Sequence, residues 1–202
     1  MRAIRRQLTR QLVLSFAALV GVGMIGIYGA VRHVLMKSLD GTLRVSALSV
    51  AALAEVEHGL VQFDFSPDFL AAYRSAAPRR YFQVTDGQGA ALARSPSLGS
   101  ANLPRRAGGT PERPAYFDLT LPDGRPGRAA ALRFRVTEGN GGAGSGPELE
   151  LIVATDRSGI DATLAGLVGA VLGCGILLMM AVLTLTPRVL AHGLASLDAL
   201  GE

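Results

Sequence analysis

Cysteine is nearly absent: the 202-residue chain has one, Cys174. An internal disulfide is therefore excluded, and any folded domain must hold itself together by its core. Lysine is almost missing too, since Lys37 is the only one among 20 Lys and Arg residues, a bias of composition rather than chemistry. A basic surplus is lacking where it would matter. Residues 32–161 hold 15 basic and 14 acidic groups, so no face for nucleic acid is expected. Charge is missing altogether from residues 12–31 and 162–187. A helix needs about 20 apolar residues to cross a ~30 Å hydrocarbon layer. A charge at its centre costs about 2.5–3.5 kcal/mol, so stretches this long and this clean predict two membrane helices.

What is present fits that reading. Arg2, Arg5, Arg6 and Arg10 crowd the start of the chain, which predicts a cytoplasmic N-terminus by the positive-inside rule. Two spans then return the C-terminus to the cytoplasm and leave residues 32–161 outside. A cleavable signal peptide is the rival for the first span. It needs a shorter apolar core and a small-x-small site, whereas Tyr28 stands where a small residue would precede Ala30. The expected domains are a basic cytoplasmic segment at 1–11, spans at 12–31 and 162–187, an extracytoplasmic domain at 32–161 and a cytoplasmic tail at 188–202.

The helical pattern continues past the first span. Leu35, Leu39, Leu43, Ala47, Val50 and Ala54 recur at spacings of three and four, with Lys37, Asp40 and Arg44 on another face. His58-Gly59 is the expected stop. The period then falls to two. Residues 81–86 and 90–95 flank Asp86-Gly87 as a hairpin, and Phe117, Leu119 and Leu121 precede the turn Pro122-Asp123-Gly124. Ala130, Leu132, Phe134 and Val136 follow, and after a glycine-rich loop at 139–146 come Leu149, Leu151 and Val153. The expected class is α+β: about five antiparallel strands behind a long N-terminal helix, flanked by the two spans. Asp161 is a candidate N-cap for the second span.

In that span Ala165, Gly169 and Gly173 recur every fourth residue, as do Ala17 with Gly21 and Gly26 with Ala30 in the first. Small residues at this interval let helices approach closely in lipid, as a hairpin or a dimer, although glycine is also simply commoner in membrane helices. Beyond Pro187, Leu190, Leu194 and Leu197 begin a heptad seam suited to a signal-relay helix.

Several segments in order resemble the N-terminal sensor portion of a bacterial two-component sensor histidine kinase. They are Arg5-Arg6-Gln7-Leu8-Thr9-Arg10, Tyr81-Phe82-Gln83-Val84-Thr85-Asp86-Gly87 and Ala93-Arg94-Ser95-Pro96-Ser97-Leu98, followed by Leu121-Pro122-Asp123-Gly124-Arg125-Pro126-Gly127-Arg128 and Val153-Ala154-Thr155-Asp156-Arg157. The segment from Gly193 to Leu200 is similar to the opening of a HAMP linker, although Ala195-Ser196-Leu197 stands where such linkers usually carry a proline before the leucine. The resemblance implies a PAS/PDC-like extracytoplasmic domain in the inner membrane. It implies a homodimer, or a dimer with an intact kinase, that detects an unknown ligand and relays the signal to a HAMP linker and kinase. The family's kinase core uses ATP and magnesium and serves a response regulator. The phosphoacceptor pattern fits none of the contexts of His33, His58 and His192, and no nucleotide box follows the second span. Residues 1–202 are thus expected to be a truncated kinase, with no catalytic residue, cofactor or metal site, unable to phosphorylate themselves. A membrane-anchored extracytoplasmic binding or assembly protein without kinase signalling is the alternative.

Arg133 and Arg135 are the candidate ligand-binding pair. Glu148 and Glu150 share their i, i+2 spacing and compete as cross-strand partners. Arg79-Arg80 and Arg105-Arg106 are expected to be solvated loop pairs or to face lipid headgroups. Glu55, Glu57, His58, Asp64 and Asp68 show no recognised ligand spacing, so no metal is assigned to them.

Overall fold

The computed structural model describes residues 2–57, 60–74, 79–136 and 146–198. Contacts divide the chain into two units, Met1–His33 with Ala162–Glu202, and Val34–Asp161. Helix α1 runs unbroken over Arg2–Ala52, and helix α3 covers Ser158–Asp198. Each is long and apolar enough to cross a membrane, over Leu14–Ala52 and Ser158–Ala181. The most apolar window of α1 has no buried residue, and that of α3 is only 6% buried, unlike the core helix of a soluble protein.

In the Val34–Asp161 unit α1 gives way to a hairpin of β1 (Ala54–Glu57) and β2 (Leu60–Phe63). The helix thus ends earlier than its spacing predicts. Ala54, the last member of the apolar row, is 9% exposed and belongs to a strand, and Glu55 and Glu57 leave the helix with it. His58-Gly59 lies outside the described residues. A short helix, α2 (Pro67–Arg74), follows. Ser66 opens it by accepting the Phe69 N–H at 3.2 Å, and Pro67 supplies a first-turn residue that has no N–H to satisfy.

Five strands form one antiparallel sheet: β3 (Arg80–Thr85), β4 (Ala91–Arg94), β5 (Ala115–Thr120), β6 (Pro126–Arg135) and β7 (Glu148–Asp156), in the order β4-β3-β7-β6-β5. All five were expected from the two-residue alternation. The β3–β4 turn differs in detail. Asp86 Oδ1 accepts the N–H groups of Gln88 at 2.9 Å and Ala90 at 2.8 Å, so the left-handed residue is Gly89, at φ 92°, rather than Gly87.

Alternation makes both faces of the sheet apolar. On one face Leu43, Ala47 and Val50 of α1, each 2% exposed or less, pack on Phe82, Leu132 and Leu151. Phe63, Phe65, Phe69 and Tyr73 extend this core, with Tyr73 edge-on to Phe82 at 4.8 Å. Leu98 and Leu103 cover the other face, against Tyr81, Phe117 and Ile152. There Gly109 bridges to β6, and a Cβ on it would fall 2.9 Å from the backbone nitrogen of Ala115, so only glycine fits.

Candidate functional site

The residues that join α1 to the start of α3 are charged, and they form a chain of contacts. The turn at Pro122-Asp123-Gly124 sets the register of β5 against β6, which puts Asp118 directly opposite Arg128. Arg128 Nη1 donates to Asp118 Oδ1 at 3.1 Å. Its other two nitrogens grip Asp40 of α1: Nε to Oδ1 at 2.9 Å and Nη2 to Oδ2 at 3.0 Å. Asp40 stands one turn before Leu43 on the helical face that meets the sheet. Two parallel bonds make this the strong geometry for an arginine and a carboxylate. Both side chains are about one-fifth exposed, at 20% and 21%. The hydrogen bonds to Asp40 raise the Arg128 pKa above its ordinary value, against the opposing effect of burial, so the cation stays charged.

The contacts run on from Asp118. Its Oδ2 lies 2.9 Å from Arg157 Nη1, and Arg157 Nε lies 3.3 Å from Asp161 Oδ2 in the first turn of α3. That last pair is in ion-pair range but out of hydrogen-bond alignment, which leaves Arg157 Nε buried without a bond. Asp40, Arg128, Asp118, Arg157 and Asp161 thus link α1 to the beginning of α3 through two strands of the sheet, all inside the Val34–Asp161 unit.

A second cluster holds the end of β7. Asp156 Oδ1 accepts the Ser158 N–H at 2.7 Å, and its Oδ2 takes Arg125 Nη1 at 3.2 Å. The expected cap at Asp161 is therefore replaced: Asp156 meets the start of α3, and Asp161 sits within it. Burial pushes the Asp156 carboxyl up, but the Ser158 N–H and Arg125 outweigh it, and the pKa falls below the usual carboxylate value. Beside this cluster is a cavity of about 430 Å³, walled by Leu39, Leu43, Val153 and Ile160, with Arg80 and Asp156 on its lining. Its volume lies within the range of small-molecule pockets, about 300–1,000 Å³.

Arg133 and Arg135 stand on the sheet face away from α1, opposite Glu150 and Glu148 in the ladder. Arg133 lines a polar cavity of about 280 Å³ with Asp86, Arg105, Glu148 and Glu150, and Arg135 lies outside it. The ion pair formed there is Arg105 with Glu150, at 3.5 Å. Both arginine pairs expected to be solvated are partly engaged within the fold. Arg79 pairs with Asp123 at 3.5 Å, and the Arg106 guanidinium lies 5.5 Å from the Phe117 ring centre. Among the described residues no cluster of three or more His, Cys, Asp or Glu groups could hold a metal.

In the helical unit Ala165, Gly169 and Gly173 lie on an exposed face of α3. The contact with α1 runs elsewhere. A cavity of about 320 Å³ is lined by Ala17, Val20 and Gly21 of α1 and by Gly175, Ile176 and Met179 of α3. A Cβ built on Gly175 would meet Val20 Cγ1 at 3.4 Å, ordinary contact distance. Cys174 is exposed on the neighbouring face. Helix α3 continues through positions 190, 194 and 197, but the side chains of Leu190, Leu194 and Leu197 lie outside the described residues.

Sequence reasoning missed the five-residue ionic chain, although half of it was accessible. Counting back from the 122–124 turn pairs residue 118 with 128. The Asp40 partner, 88 positions away, carries no local signal.

A family model described as two-component sensor kinase N-terminal matches residues 16–165. No curated protein and no solved structure matches the chain.

Proposed function

The chain belongs to the two-component sensor kinase N-terminal family, and from that premise we propose that it senses a signal outside the bacterial inner membrane and relays it inward. Residues 12–31 and 162–187 cross the bilayer, residues 32–161 form a PAS/PDC-like sensing domain outside, and both ends lie in the cytoplasm. The long N-terminal helix and the five-stranded antiparallel sheet support the PAS/PDC-like assignment. Residues 188–202 open a HAMP-like relay toward a kinase core. ATP, magnesium and the response regulator are the business of that core and not of residues 1–202.

The observation that carries the proposal is the ionic chain from Asp40 to Asp161. Asp40 lies shortly after the first charge-free run, and Asp161 immediately before the second. A ligand or an envelope stress that favours one packing of the outer domain changes how the sheet holds the two helices. Helix α1 is a single element over Arg2–Ala52, which supports a relay borne by the helix. A coupling of about 1–3 kcal/mol suffices to bias a kinase several-fold to a hundredfold. The signal must act unequally on the two states, or nothing is relayed.

The test joins residues 1–202 to a complete kinase core of this class and follows its output. Lengthening the second span one residue at a time rotates and shifts the relay helix, so output must vary with length. Output indifferent to length contradicts a helix-borne relay. An output that also survives deletion of residues 188–202 would favour an anchored binding protein.

A further inference from the structure

Arg80 takes no part in the ionic chain, and it stands on the wall of the cavity of about 430 Å³. It opens β3 half-buried, on the same side of the strand as Phe82 and therefore turned toward α1. Three ionisable side chains line that cavity: Arg80, Arg125 and Asp156. Arg125 and Asp156 lie 3.2 Å apart and cancel each other. Among the described residues Arg80 has no carboxylate within ion-pair distance, so the cavity keeps one positive charge. Its other walls are largely aliphatic. Leu39 and Leu43 enter from one face of α1, Val153 from β7 and Ile160 from the first turn of α3. All of these residues belong to the Val34–Asp161 unit.

We propose that this cavity takes a single-chain anionic amphiphile of the fatty-acid class, with its head on Arg80 and its chain along the aliphatic walls. The proposal rests on the sensing role given above and names the class of ligand that the outer domain meets. Charge and wall chemistry select this class together. A small polar anion leaves the aliphatic walls unmatched, and a neutral hydrocarbon leaves the guanidinium without a partner. Volume narrows the choice. At about 30 Å³ for a group the size of a water, the cavity holds roughly one chain of a dozen carbons. The two longer chains of a membrane phospholipid do not fit. Ile160 stands two residues before the charge-free run at 162–187. The membrane reading therefore puts the cavity where an amphiphile dissolved in the outer leaflet is concentrated. An occupant touches α1, the sheet and the start of α3 at once, the same elements that the ionic chain ties together.

The experiment uses the full chain in nanodiscs of zwitterionic phospholipid, with empty nanodiscs as the baseline. The probes are dodecanoate and neutral dodecanol, each with a photoreactive diazirine at the chain end and kept below micelle-forming concentrations. Dodecanoate is expected to cross-link saturably to the cavity walls on α1, β7 and the first turn of α3. Arg80→Gln is expected to weaken dodecanoate about tenfold, as loss of one charge-assisted contact implies, and to leave dodecanol unchanged. Ser46→Leu puts a larger side chain on the cavity wall and is expected to block both probes. Thermal unfolding checks that each variant is folded, and Thr42→Leu fills the cavity from the preceding turn should Ser46→Leu unfold. Equal affinity for the two probes, indifference to Arg80→Gln, or cross-links outside the cavity each overturn the site. Loss of the probe in nanodiscs of anionic phospholipid makes the bilayer lipid the occupant and overturns the single-chain ligand. The same probe added to residues 1–202 joined to a kinase core keeps the two claims apart. Binding that depends on Arg80 but leaves kinase output unchanged contradicts the sensing role, whereas no binding contradicts the site alone.

Discussion

Arg128 binds the two oxygens of Asp40 and one of Asp118 while four-fifths shielded from water, whereas Arg125 reaches Asp156 from a side chain 54% exposed. That difference decides which arginine matters to folding. Hydrogen bonds to a charged group contribute about 1.5–3 kcal/mol when partly buried, whereas exposed ion pairs contribute about 0–1 kcal/mol. Arg128→Ala should therefore lower the thermal midpoint of the full chain in detergent clearly more than Arg125→Ala. Equal shifts would place the two arginines in the same class. Asp156 yields a pH prediction. Its folded pKa is depressed, so its stabilising effect is present above the unfolded carboxylate pKa of about 3.9 and is lost as pH falls through the lower folded value. The advantage of the native protein over Asp156→Asn should be complete at neutral pH and shrink in acid. An advantage that grows in acid would reverse the sign.

Among the elements, α1 meets the sheet with one face and leaves the opposite face exposed. Leu43 is 2% exposed against the sheet, and Leu43→Ala should cost about 2–5 kcal/mol. Val45→Ala, at an exposed position of the same helix, should leave stability nearly unchanged. Urea unfolding of the two variants tests the division. The sheet strands were legible because larger apolar side chains recur at every second residue, as Phe82 and Val84, Phe117, Leu119 and Leu121, Leu132 and Phe134, and Leu149 and Leu151 do. The end of α1 was not legible. Ala54 satisfies the helical row and the strand equally well, and only its pairing with Phe63 distinguishes them. Helix α2 left a signal that went unread, in Ser66-Pro67-Asp68: an N-cap, a first-turn proline and an acidic residue near the helix start. The ionic chain was half legible. Asp118 and Arg128 follow from the turn between them, but Asp40 reaches Arg128 only once α1 has packed on the sheet.

For the whole molecule, the proposed relay requires an outward-facing sensing unit in which one set of charges holds both α1 and the start of α3. Ser100 is exposed on the Val34–Asp161 unit, so Ser100→Cys in a Cys174→Ser background should react with an impermeant maleimide in spheroplasts. The most direct test of the relay is a double-mutant cycle between its ends, Asp40→Asn and Asp161→Asn, read as kinase output from residues 1–202 joined to a kinase core. The two carboxylates bind different arginines, so independent effects would add within about 0.3–0.5 kcal/mol. The double variant is expected to change output no more than the stronger single variant, because either change interrupts the same connection. Simple addition of the two effects would contradict it.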